Sequence, residues 1–249
     1  MRRLLGDEPV LLVNGDMLFD FDLTRLVDRH RASGARATLA LKPNPDPSTY
    51  GPVVTGPKGQ VRSLPGSPRR AAGTVSLFTG VHVLDPRLLE GLPPGPSDSV
   101  RDLYARLVAE GEGVRGVRVA GPWYDLSSPS KYLASHISLL RRGFGGAGLP
   151  ARVDPRASVH PSARVAASVI GAGSVVGQGA KVVRSVLWDG ARVGPGARVR
   201  DSILAEGVSV GEGETLRGLV VLDAARARGV SPSGPRRRRE QLRVEIEST

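Results

Sequence analysis

Two aspartates in this 249-residue chain stand where α/β proteins keep their chemistry. The apolar run Val10-Leu11-Leu12-Val13 suits a strand buried on both faces of a parallel sheet, and it ends in Asn14-Gly15-Asp16. Ligands of open α/β sheets bind just past such carboxyl ends, which makes Asp16 the first candidate. The second is Asp125, in Trp123-Tyr124-Asp125, which follows a further apolar strand at residues 114–119. Position alone leaves an alternative for each: Asp16 as a turn residue and Asp125 as a helix-entry residue. Other chemistry is excluded or thin. The chain has no cysteine, which rules out disulfides and thiolate metal sites, and His160 is the only histidine after Pro150.

Around these residues the pattern of an α/β domain is legible. Asp22 caps a helix carrying Leu23, Leu26, Val27 and His30 that stops at Gly34, and residues 37–41 form the next strand, which completes one βαβ unit. After a Pro-rich stretch, residues 52–54 and 61–64 read as a hairpin around Gly59, and residues 75–84 as a strand. Asp98 opens a helix with Val100, Leu103, Tyr104, Leu107 and Val108 on one face, ending at Gly111. Ser128-Pro129 supplies an N-cap and first-turn proline for a helix through Tyr132, Leu133, His136, Ile137 and Leu140. Residues 143–148 form a Gly-rich linker.

The C-terminal half is a repeat. Val165-Ala166-Ala167-Ser168-Val169-Ile170 recurs in kind from Val182, Val199 and Leu216, a constant step of 17. Each step subdivides as six, six and five: Ile170, Val176, Val182, then Leu187, Val193, Val199, then Leu204, Val210, Leu216. Three short strands per step make a triangular coil with the aliphatic residue inward and, in most rungs, a small residue four places on, such as Ala180, Ala191 or Ala197. Glycines at 173, 179, 190, 196, 207 and 213 fall three places after the aliphatic residue, where a tight corner favours positive φ. Glu214 breaks the small-residue rule and marks a cap, since a terminal repeat needs a polar end.

The formal charge of +11 points toward nucleic acid, yet the basic residues are nearly all arginine. The one dense basic run, Arg236 to Arg239, lies in a tail without aromatic residues, so a solvated tail is expected and nucleic acid is not. No apolar run reaches the roughly 18 residues of a membrane span, and polar residues interrupt the start where a leader would continue. A cytoplasmic protein is expected.

The pieces fall in the order of the sugar-1-phosphate nucleotidyltransferases, a family that includes mannose-1-phosphate guanylyltransferases. Val13-Asn14-Gly15-Asp16 resembles the family's hydrophobic-x-Gly-Asp signature, and Trp123-Tyr124-Asp125-Leu126-Ser127-Ser128-Pro129 resembles its Trp-x-Asp-x-Gly-Thr-Pro signature. The Gly-x-Gly corners resemble a left-handed β-helix of the hexapeptide type. The resemblance implies an incomplete Rossmann-like α/β domain (residues 1–142), a linker (143–152), a left-handed parallel β-helix of hexapeptide repeats (153–222) and a basic tail (223–249).

It further implies Asp16 and Asp125 as the ligands of Mg²⁺ on the phosphates of an NTP, where a hard cation offsets the repulsion between two polyanions. Asn14 and Gly15 follow as substrate-binding residues. Tyr50-Gly51 and Phe78-Thr79-Gly80 resemble segments where glycines let backbone approach the sugar, so Gly51 and Gly80 join them; turn glycines are the alternative. Nothing before Asp16 resembles the family's Gly-rich loop with its Arg and Lys, no Glu-Lys-Pro segment precedes Phe78, and Ser127-Ser128 stands for Gly-Thr; Arg69 or Arg70 is a candidate replacement cation.

Two functions are open. One is formation of an NDP-sugar and pyrophosphate from an NTP and a sugar 1-phosphate. The other is a noncatalytic regulatory or scaffold subunit that forms homo-oligomers through its β-helix. On its own, this chain is expected to release no pyrophosphate and to self-associate or aggregate through its N-terminal half.

Overall fold

The computed structural model describes residues 5–67, 71–92, 95–143, 148–223, 236–238 and 241–247. Arg69, Arg70, Arg239, residues 144–147 of the linker and residues 224–235 lie outside these. The chain forms two compact units, Met1–Trp123 and Tyr124–Thr249.

The first unit opens with β1 (Val10–Val13) and β2 (Met17–Phe19), then α1 (Leu23–Ser33). Asp22 caps α1 by accepting from the Arg25 amide at 2.9 Å, and Gly34 ends it in the left-handed conformation, as the sequence suggests. Strands β3 (Ala37–Pro43), β4 (Val53–Thr55), β5 (Val61–Ser63) and β6 (Thr74–Leu84) follow. A π-helical turn, Ser99–Tyr104, leads from the Asp98 cap into α2 (Ala105–Ala109). Strand β7 (Val114–Arg118) completes the main sheet, and β8 (Trp123–Asp125) stands at the boundary of the units.

The sheet runs β5-β4-β6-β3-β7, with β1 also beside β6. It is mixed: β3 and β7 are parallel, whereas β6 runs antiparallel to β1, β3 and β4. The expected βαβ unit is therefore split, with β6 between β1 and β3. The strand buried on both faces is β3 rather than β1. Its Leu39 and Leu41 join a core with Leu103, Tyr104 and Leu107, while Ala40 faces Leu26 of α1. Strand β1 pairs only with β6 among the described residues, and Val13 is 45% exposed, because a strand with one neighbour keeps less of its surface from water.

The second unit begins with α3 (Pro129–Arg142), capped by Ser128 as expected. Beyond it the chain winds as a β-helix of about four turns with three sheets of parallel rungs. Each rung pairs with the residue 17 places on, as in Val176↔Val193↔Val210. The inward residues Ile170, Val176, Val182, Leu187, Val193, Val199, Leu204, Val210 and Leu216 are all buried in one cluster with Ala180, Ala191 and Ala197. All six corner glycines take positive φ. The outward aliphatics Val169, Val186, Ile203 and Val220 are covered by Leu133 and Ile137 of α3.

The chain's end departs from a free tail. Residues Gln241–Glu245 form a strand antiparallel to Leu219–Asp223, and Arg236–Arg238 pair with it in turn. Backbone groups of the last coil gain partners this way. Glu214 does cap the coil: its carboxylate accepts from the Gly211 amide at 2.8 Å and pairs with Arg243 at 2.6 Å. No helix among the described residues is long and apolar enough to cross a membrane.

Candidate active site

In the first unit the candidate residues converge on one point of β6. The Asn14 amide donates to the Gly80 carbonyl at 3.0 Å, which carries the end of β1 onto β6. Gly80 has φ +78°, and a Cβ there would lie 2.2 Å from Met17 Cε and 2.8 Å from Asn14 Nδ2. Only glycine permits this approach. Next to it Thr79 is wholly buried; its hydroxyl donates to the Ala40 carbonyl at 2.9 Å, and its own carbonyl accepts from Trp123 Nε1 at 3.0 Å. The Trp123 ring meets Tyr50 edge to face at 5.6 Å. Gly51, beside Tyr50, has a packing reason of its own, since a Cβ would lie 2.5 Å from Pro65 Cβ.

Asn14, Gly15 and Asp16 are exposed past this cluster, and Asp16 makes no hydrogen bond or ion pair among the described residues. A free carboxylate, a carboxamide and two partly buried aromatic rings thus share one surface. That set can take a hard cation, hydroxyl groups and the apolar face of a sugar ring.

In the second unit the Asp125 side chain is 13% exposed and pairs with Lys131 at 2.7 Å. Its Oδ1 accepts from the Ser127 amide at 2.8 Å. Burial pushes the carboxyl up, but the bonds from Lys131 and Ser127 outweigh it and hold Asp125 below the usual carboxylate range. The group is therefore ionised at neutral pH. Its carbonyl accepts from Ser135 Oγ at 3.1 Å, which ties the segment to α3.

Sequence reasoning left three participants without a role: Lys131, Thr79 and the Tyr50–Trp123 pair. Lys131 carried a signal, as one of only four lysines in an arginine-rich chain, one turn into a helix whose cap follows Asp125. In the β-helix, His160 Nδ1 lies 2.8 Å from Ser162 Oγ of its own turn.

Taken one unit at a time, each aspartate presents a carboxylate of the kind a hard cation takes. Mg²⁺ is commonly held by one or two carboxylates with the remaining positions left to phosphates and water. Asp16 offers a free carboxylate and Asp125 an ionised one, and no cluster of three or more His, Cys, Asp or Glu forms a separate cage among the described residues.

Comparison with known proteins agrees with both halves. Residues 1–142 match the family model described as "Nucleotidyl transferase", and residues 149–226 match "GMPPB C-terminal domain". The chain is 31% identical over 184 residues to the "Mannose-1-phosphate guanylyltransferase" of Mycobacterium tuberculosis, covering 72% of this chain and 50% of that protein. It is 30% identical over 166 residues to the "UTP--glucose-1-phosphate uridylyltransferase" of Synechocystis sp., covering 65% and 42%. A "Mannose-1-phosphate guanylyltransferase catalytic subunit beta" from Dictyostelium discoideum is 27% identical over 135 residues, covering 53% and 37%. The chain thus spans half or less of the length of these relatives.

Proposed function

Because the chain belongs to the nucleotidyl transferase family, we propose that the protein carrying it forms a nucleoside-diphosphate sugar and pyrophosphate from an NTP and a sugar 1-phosphate. One observation carries the reading most: the convergence of Asn14, Thr79, Gly80 and Trp123 beside the free carboxylate of Asp16. Trp123 and Tyr50 give a sugar an apolar wall, and Asn14 supplies both a donor and an acceptor for its hydroxyls. Gly51 and Gly80 serve by letting neighbouring segments close on this wall.

Magnesium is the cation of the proposal, with Asp16 and Asp125 as its carboxylates, and it would neutralise phosphate charge as the sugar phosphate attacks the α-phosphate. The protein's own groups do the rest. Lys131 keeps Asp125 ionised through the 2.7 Å pair, so no proton has to leave before a cation binds. Cytoplasmic location and assembly through the β-helix belong to the same proposal.

The test is pyrophosphate release by the natural protein, assayed with each common NTP and with glucose 1-phosphate and mannose 1-phosphate, with and without Mg²⁺. Release that needs all three components supports the reading. Binding of a nucleotide sugar without turnover would favour the regulatory subunit instead.

A further inference from the structure

On the first unit, a groove between α1 and β7 gathers four cations and no carboxylate. Arg29 lines it from α1, Arg115 and Arg118 from β7, and Lys58 from the hairpin that joins β4 to β5. The side chains of Arg29, Lys58 and Arg118 make no hydrogen bond or ion pair among the described residues. Three arginines around the neighbouring groove differ. Arg31 pairs with Glu8, Arg36 with Glu112 and Arg87 with Asp85, so cations around the neighbouring groove at His30 are neutralised by the protein itself.

The hairpin is built to hold Lys58 there. A Cβ on Gly59 would lie 2.5 Å from the Gly116 carbonyl oxygen, so the tip presses on the backbone of β7. Gln60 bridges to Arg115, and Arg115 Nη1 donates to the Lys58 carbonyl at 2.7 Å. Lys58 itself sits at φ +55°, ψ +19°, a left-handed conformation that glycine adopts at less cost. A lysine kept at such a position brings its ammonium group to the groove at the expense of backbone ease.

We propose that this groove binds a small phosphorylated anion of the diphosphate class, at a site separate from the Asn14–Gly80 cluster, with which it shares no residue. Four cations without a counter-charge repel one another, and one carboxylate would leave most of that charge unbalanced. A diphosphate brings several negative charges in a small volume and suits the planar fork of arginine. Thr74 also lines the groove.

The experiment is isothermal titration of the full chain with inorganic pyrophosphate, and with inorganic phosphate in parallel, at low ionic strength in EDTA. Chelation removes divalent cations, so an aspartate site that needs a metal contributes nothing. Pyrophosphate should bind more tightly than phosphate. Lys58→Gly, which keeps the turn, and Arg118→Ser should each weaken it about tenfold or more, while Asp16→Asn leaves it unchanged. Absence of binding, equal affinity in the Lys58 and Arg118 variants, or loss on Asp16→Asn would each overturn the proposal. None of these results bears on whether the aspartates support turnover with Mg²⁺, so the two readings fail separately.

Discussion

Trp123 Nε1 donates to the main-chain oxygen of Thr79 at 3.0 Å, and so the indole is fastened to the middle of β6. An indole N–H that is partly buried needs an acceptor, and a carbonyl beside Gly80 is free to serve because Gly80 departs from regular strand geometry. Trp123→Phe keeps most of the ring but removes the donor. Chemical denaturation should show a loss of about 1 kcal/mol, the usual net worth of such a bond.

Gly80 meets two demands at once, positive φ and contact with Met17 and Asn14. Gly80→Ala strains the backbone and displaces Asn14, so stability should drop by at least about 1 kcal/mol. Binding of the nucleotide sugar, followed by calorimetry on the natural protein, should weaken with it.

The core of the first unit carries an acid-sensitive pair. His82 Nδ1 and Tyr104 OH lie 2.7 Å apart, both buried. Burial lowers the His82 pKa from the ordinary 6.5 to about 4 and raises that of Tyr104. A histidine whose folded pKa is depressed stays neutral in the fold while the unfolded chain takes up a proton. Stability is therefore full above about pH 6.5 and falls as pH drops toward 4, by roughly 3 kcal/mol from this group. His30, also held low by burial, acts in the same direction. Thermal melts between pH 7.5 and 4 should show the decline, and His82→Gln should flatten it.

A serine ladder runs up the shortened corner of the β-helix. The Ser185 amide donates to Ser168 Oγ at 3.1 Å, the Ser202 amide to Ser185 Oγ at 3.2 Å, and the Leu219 amide to Ser202 Oγ at 3.2 Å. Ser185→Ala leaves the buried Ser202 amide without its acceptor. A cost of about 1–3 kcal/mol is expected, read as a lower melting midpoint. Val186→Ala, one residue on and under α3, offers a packing control.

The β-helix was legible because each residue faces the same neighbour one coil on, so burial writes a period of 17 into the sequence. The same period held two signals without an assigned role. One is the serine ladder, next to Ala167, Arg184 and Asp201, which take φ near +50° without being glycine. The other is the outward row Val169, Val186, Ile203 and Val220, whose aliphatic character makes sense only once α3 lies over it. In the first unit local patterns gave helix caps and most strands, whereas the antiparallel placement of β6 between β1 and β3 rests on contacts between distant residues. Aspartates and glycines stood out by type. Lys131 was marked by its rarity as a lysine but not by its role, which is fixed by a partner six residues away across a helix cap.

The most direct measurement is the rate of pyrophosphate release by the natural protein carrying these residues, compared with its Asp16→Asn and Asp125→Asn variants at saturating Mg²⁺. Each substitution keeps the side-chain shape and removes the charge a cation needs. Loss of turnover by about a hundredfold or more in both variants, with thermal melts like the parent, is expected if these carboxylates hold the cation at the transferring phosphate. Turnover at the parent rate in either variant would contradict the account.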